Sequence, residues 1–194
     1  MLMKKHILLF AFVTLGLGLS AQELPEAWEA EQSFRKTGML VLGSWATANI
    51  VTGLVGRSQT TGSLSKFYEM NALWNSVNLG LAVFSYISAQ NMDASGSAFE
   101  LYESQQQLDK ILLFNAGLDL AYMASGFWML ERSKNIENKD QWEGYGRSIV
   151  LQGAFLFVFD LAMVGLHKRV HIGEDSFLEI QSLVPGQLGL SFYF

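Results

Sequence analysis

Four apolar stretches of membrane-crossing length, each interrupted near its midpoint by one polar side chain, constrain this chain more than any other feature. They run over about 38–56, 67–88, 111–130 and 148–166, and the interrupting residues are Asn49, Asn78, Asp119 and Asp160. Each is close to the ~20 residues that cross ~30 Å of hydrocarbon as a helix. In lipid the backbone N–H and C=O groups must be bonded within the segment, so long apolar runs without strand alternation fold as helices. Both prolines, Pro25 and Pro185, lie outside the stretches, which are free to be unbroken. The expected fold is an all-α membrane protein: a bundle of four transmembrane helices over residues 38–170.

The flanks read differently. Lys4 and Lys5 precede a short apolar run, Ile7 to Leu19, and the small residues Ser20 and Ala21 follow it. That is the pattern of a cleavable signal peptide over 1–21; a retained signal anchor is the alternative. Residues 22–37 mix Trp28 and Phe34 with Glu26, Glu29 and Glu31, and Pro25 suits a first helical turn. A separate amphipathic helix on the periplasmic surface is expected there. After His171 the pattern changes again: two segments flank Pro185-Gly186, and Leu188, Leu190, Phe192 and Phe194 alternate with smaller or polar residues. The tail, 171–194, is therefore expected to hold a short β-hairpin. Its last strand resembles the terminal strand of outer-membrane barrels, but such a barrel needs at least about eight strands.

Charge sets the topology and removes several function classes. Only 16% of residues are charged and the formal net charge is -5, which leaves no basic face for nucleic acid. Arg57 and Lys66 lie in the first connection, and Arg132, Lys134, Lys139 and Arg147 in the third; the second holds only Lys110. Positive connections stay in the cytoplasm, so both termini are expected in the periplasm, with the chain in the bacterial inner membrane. The expected partners are the lipid bilayer and either a second copy or another envelope protein. Cysteine is absent, so disulfides, thiolate metal sites and a Cys nucleophile are excluded.

Within each stretch the polar and small residues recur three or four apart and share one helical face. The faces are Trp45, Asn49, Thr52 and Gly56; Asn71, Asn75, Asn78, Ala82 and Ser85; Asn115, Asp119, Tyr122 and Gly126; and Gln152 with Asp160. Trp45-x-x-x-Asn49 echoes Trp74-x-x-x-Asn78, and Asp119-Leu-Ala echoes Asp160-Leu-Ala. An aspartate at a helix centre costs about 2.5–3.5 kcal/mol on insertion, while Leu, Ile and Phe each contribute about 0.3–0.6 in the opposite sense. The third stretch has eight such apolar residues, so Asp119 offsets most of their gain. It must face the bundle. No Lys or Arg occurs within the four cores, so the protonated acid, hydrogen-bonded to an amide such as Asn78 or Asn115, is the expected form. The candidate ligand or ion site is Asn49, Asn75, Asn78, Asn115, Asp119, Gln152 and Asp160. The competing reading of the same residues is interhelical glue, at about 0.6 kcal/mol per bond.

No catalytic residues, metal ligands or cofactor are expected. His167 and His171 are four apart beside Glu174 and Asp175, and read as interfacial residues before they read as a metal pair. Ser44, Ser85 and Ser125 have no histidine nearby in sequence to act as base. Gly-rich phosphate loops and HExxH are absent.

The stretch Tyr68-Glu-Met-Asn-Ala-Leu-Trp-Asn-Ser-Val-Asn-Leu-Gly80, followed by Leu113-Phe-Asn-Ala-Gly-Leu-Asp119, resembles a family of small bacterial four-helix membrane proteins without an established activity. The resemblance spans roughly residues 25–167 and implies the fold alone. Two functions follow as expectations: a structural or interaction component of the cell envelope, or a small channel, carrier or proton-coupled subunit using Asp119 and Asp160. An intramembrane enzyme would need an acid–base pair in a cavity.

Overall fold

The computed structural model describes residues 2–168, with side chains from Leu24 to Lys168. Those residues form four helices: α1 (Leu2–Gln59), α2 (Gly62–Gln90), α3 (Ala98–Ser133) and α4 (Lys139–His167). α1 packs along α2, α3 along α4, and the two hairpins join where α2 meets α4; α1 and α3 scarcely touch. The α1–α2 turn is tight because Gly62 adopts φ 63°, a left-handed conformation that favours glycine. Ser97 opens α3 with a reciprocal cap: its hydroxyl accepts from the Glu100 N–H, and its own N–H donates to Glu100 Oε2 at 2.6 Å.

The bundle is large and apolar outside, small and polar inside. Val77, Phe84, Phe114 and Val158 are each about two-thirds exposed. The buried faces hold Ala46, Ala72, Ala82 and Ala116 beside Asn49, Asn75, Asp119 and Gln152. In water this exterior would be one continuous apolar patch; against acyl chains it costs nothing. Glycine permits the close approaches. A Cβ on Gly53 would lie 2.7 Å from the Tyr68 carbonyl, and one on Gly126 would lie 2.8 Å from that of Gly146. Small-residue contacts of this kind let helix backbones meet without a hydrophobic driving force.

Several expectations change. Three of the helices, α1, α3 and α4, are long and apolar enough to cross a membrane. The fourth, α2, is long enough but carries Glu69, Asn71, Asn75 and Asn78, which lower its apolarity. The helix expected separately over 22–37 is continuous with the first span, and Pro25 lies inside α1 instead of opening a helix. Helix formers on its C-terminal side continue the helix, and Trp28 anchors it by donating from Nε1 to the Gly96 carbonyl at 2.9 Å. Residues 98–108 extend the third span outward, as expected. No strand occurs among the described residues, and the expected hairpin lies outside them. Thr52, expected on the inner face, is exposed and bonds back to the Ala48 carbonyl, while Gly53 takes the buried position.

Candidate functional site

Two polar layers occupy the interior, and a third cluster closes one end. The first layer is an amide network. Asn71 Nδ2 donates to Asn49 Oδ1 at 2.8 Å, and Asn71 Oδ1 accepts from Gln152 Nε2 at 2.6 Å and Ser148 Oγ at 3.0 Å. Gln152 Oε1 in turn accepts from Trp45 Nε1 at 3.0 Å, and Asn49 Nδ2 donates back to the Trp45 carbonyl. The Trp45 ring lies flat on Phe155, centroids 3.8 Å apart, which fixes the indole donor. Three helices are thus bonded through five side chains.

The second layer is the pair Asp119 and Asp160, both buried. Their carboxyls approach one another across α3 and α4, and a hydrogen bond between two carboxyls requires a proton on one of them. The two Asp-Leu-Ala echoes therefore meet. The tryptophan echoes do not correspond: Trp45 bonds into the amide network, whereas Trp74 packs edge-on against Tyr122 at 4.9 Å. Asn75 Nδ2 donates to the Asn71 carbonyl, and Asn78 is buried. Asn75 Oδ1, Asn78 Nδ2 and Asp119 Oδ2 are buried without a hydrogen-bond partner among the described residues.

Of the residues expected at a site, Asn49 and Gln152 join in one network, and Asp119 and Asp160 in one pair. Asn115 is only half-buried, and Asp119 faces the carboxyl of Asp160. An open groove of about 620 Å³ runs on the outer face between α1 and α2, past Leu40, Gly43, Thr47, Leu79, Ala82 and Val83. None of the seven expected site residues lines it.

The third cluster went unread in the sequence. His167, expected as an interfacial residue, is fully buried. Its Nε2 meets Glu31 Oε2 at 2.6 Å and its Nδ1 meets Asp109 Oδ1 at 2.7 Å. Arg35 donates from Nε to the other Glu31 oxygen at 2.6 Å and from Nη2 to both the carbonyl and the hydroxyl of Ser104. Phe34 stacks on the imidazole at 4.8 Å. With carboxylates on opposite edges of the ring, both ring nitrogens are occupied, and no group of His, Asp and Glu among the described residues has the arrangement of a metal site. These residues lie beyond the apolar stretches, at the end where α1 passes the α2–α3 loop. Burial pulls the His167 pKa down, but the hydrogen bonds and charges of Glu31 and Asp109 outweigh it and leave the value raised. Burial raises that of Glu31, and His167 with Arg35 more than reverses it. The signal available in sequence was Glu31-x-x-x-Arg35, an i,i+4 pair on one helix face; nothing local linked it to residue 167.

At the opposite end Glu69 takes the hydrogen bond of the Tyr145 hydroxyl at 2.7 Å and lies 3.1 Å from Lys66 and 3.4 Å from Arg57. The first and third connections therefore share one end of the bundle.

Residues 41–161 match a family of unknown function (DUF6992), and the chain belongs to that family. The matched region holds both interior layers but neither Glu31 nor His167. No curated protein and no solved structure matches the chain.

Proposed function

We propose that this chain is an integral membrane protein that crosses the bilayer with all four helices and serves as a non-enzymatic structural or interaction component of the bacterial cell envelope. The amide network carries this reading. Asn49, Asn71, Ser148 and Gln152 commit their hydrogen bonds to one another across α1, α2 and α4, as a helix-joining layer does. Coverage by α1 and α4 lets α2 hide its asparagines from lipid, so it crosses with the others. The positive residues of the first and third connections favour a cytoplasmic placement in the inner membrane, with periplasmic termini and a signal segment at 1–21. The partners are lipid and either a second copy or another envelope protein.

One observation favours a second reading, a small channel, carrier or proton-coupled subunit: Asp119 Oδ2, Asn75 Oδ1 and Asn78 Nδ2 are buried without hydrogen-bond partners among the described residues. Purified chain in proteoliposomes with a pH-sensitive dye separates the two. A structural component gives proton flux no greater than empty vesicles, and photocrosslinkers at exposed Phe84 or Val158 capture a protein in native membranes. Flux that disappears in the Asp119→Asn, Asp160→Asn double variant establishes the second reading and defeats the first.

A further inference from the structure

The groove between α1 and α2 opens on the outer face of the bundle, and its floor is made of small residues. A Cβ built on Gly43 would meet Ala82 at 3.6 Å and Leu79 at 3.9 Å, ordinary contact distances, and Ala82 is buried. Met39 and Leu40 on α1, with Val83 and Ile87 on α2, also line it. Thr47 donates its hydroxyl back to the Gly43 carbonyl at 2.8 Å, so that donor is satisfied within its own helix. An empty groove of about 620 Å³ would deprive every lining atom of its dispersion contacts, and in hydrocarbon an apolar chain fills it.

The groove is one leaflet deep. Its lining on α1, Met39 to Ala48, covers about 14 Å at 1.5 Å per residue, close to half of the ~30 Å hydrocarbon core. Farther along the same two helices Val51, Val55 and Leu73 are exposed and bulky. A partner's transmembrane helix would run past both leaflets; an acyl chain reaches through one.

One end of the groove is polar. α1 and α2 are antiparallel, so the approach of Gly43 to Leu79 and Ala82 brings Lys36, seven residues before Gly43, level with Tyr86 to Ala89. Seven residues are two helical turns, which keeps Lys36 on the face of Gly43. A chain of bonds agrees: Lys36 Nζ donates to Gln32 Oε1 at 3.2 Å, and Gln32 Nε2 donates to the Gln90 carbonyl at 3.3 Å at the end of α2. An ammonium has three donors, and this contact uses one. Tyr86 lines the groove, and its hydroxyl is bonded to none of the described residues. The carboxylates of that end are engaged or distant. Glu31 bonds to Arg35 and His167, Asp93 bonds to Ser95, and Glu29 lies seven residues before Lys36, about 10 Å farther out along α1.

We infer that the α1–α2 groove binds one anionic phospholipid, with an acyl chain along Gly43 and Ala82 and the phosphate at Lys36 and Tyr86. The inference rests on the membrane-spanning reading above and adds the class of lipid. Lysine and tyrosine at the edge of an apolar span are the side chains suited to the headgroup level.

The test adds phosphatidylglycerol or phosphatidylcholine of the same acyl chains to the full chain in detergent micelles and counts bound lipid by native mass spectrometry. One phosphatidylglycerol per chain is expected, held about fivefold more tightly than phosphatidylcholine, the increment of one lysine near a lipid surface. Lys36→Gln should erase that preference and leave a weaker adduct of either lipid. Gly43→Leu places its side chain in the groove and should weaken both lipids at least about tenfold, since each methylene displaced from the groove counts for about fourfold. Equal binding of the two lipids by the parent chain overturns the inference, as does a preference that survives Lys36→Gln or an adduct that Gly43→Leu leaves unchanged. A lipid-free dimer that Gly43→Leu dissociates also overturns it and gives the groove to a second copy. Should Gly43→Leu fail to fold, the parent's preference and its loss in Lys36→Gln decide the question. Alkaline carbonate extraction of cell membranes separates the two readings: a chain that it releases defeats the membrane-spanning reading, and a chain that stays in the membrane yet holds no lipid defeats this inference alone.

Discussion

The amide layer and the His167 cluster both join helices through buried polar side chains, yet they do so by opposite electrostatic means. Asn49, Asn71, Ser148 and Gln152 are joined by bonds between uncharged groups. Glu31, Arg35, Asp109 and His167 are ionisable and meet at 2.6–2.7 Å. An amide needs no counter-charge when it is buried, whereas a buried charge is costly unless opposite charges neutralise it. The contrast separates a layer built to persist from one built to depend on its surroundings.

The two clusters should break very differently. Glu31→Ala removes one carboxylate and leaves His167 and Arg35 facing a void. Loss of about 3–5 kcal/mol is expected, as for one partner of a buried ion pair, read from denaturant unfolding in detergent. A loss below 1 kcal/mol would mean that the cluster is wet and weak. Gln152→Leu deletes the bonds to Trp45 and Asn71, and at about 0.6 kcal/mol for each interhelical bond the expected cost is about 1–2 kcal/mol. Its size should not vary between pH 5 and pH 9, because no titrating group takes part; a pH-dependent cost would tie the amide layer to the carboxyl pair.

The smallest effect belongs to the cap of α3. Ser97 hydrogen bonds hold the Glu100 carboxyl below its usual range. Its contribution is present above the ordinary value of 4.5 and lost as pH falls through the lower folded value. Amide exchange of residues 98–101, divided by the intrinsic rate at each pH, should therefore quicken in acid. Ser97→Ala should abolish that acid response.

Much of the fold was legible because helical periodicity and lipid solvation are local rules. The stripes of Asn49, Asn75, Asn78, Asp119, Gln152 and Asp160 are buried, and the faces bearing Val77, Phe84 and Val158 point outward, as a chain sorted by hydrocarbon must arrange them. The continuity of α1 through Pro25 was not legible, since a proline early in a segment reads equally as a helix start and as an interior kink. Asn71 and Ser148 were missed as network members because their importance lies in what faces them across helix interfaces. The His167 cluster was least visible of all: Glu31 and His167 are separated by most of the chain, and each alone reads as an ordinary surface residue.

The amino-acid order by itself determined that long helices would associate by hiding hydrophilic seams, because each seam's cost in hydrocarbon is a property of its own segment. Which groups would satisfy one another was decided only by tertiary structure. Helix rotation and register place Asp119 against Asp160, and His167 between Glu31 and Asp109, and those are set by glycine contacts such as Gly53 and Gly126 distributed over the whole bundle.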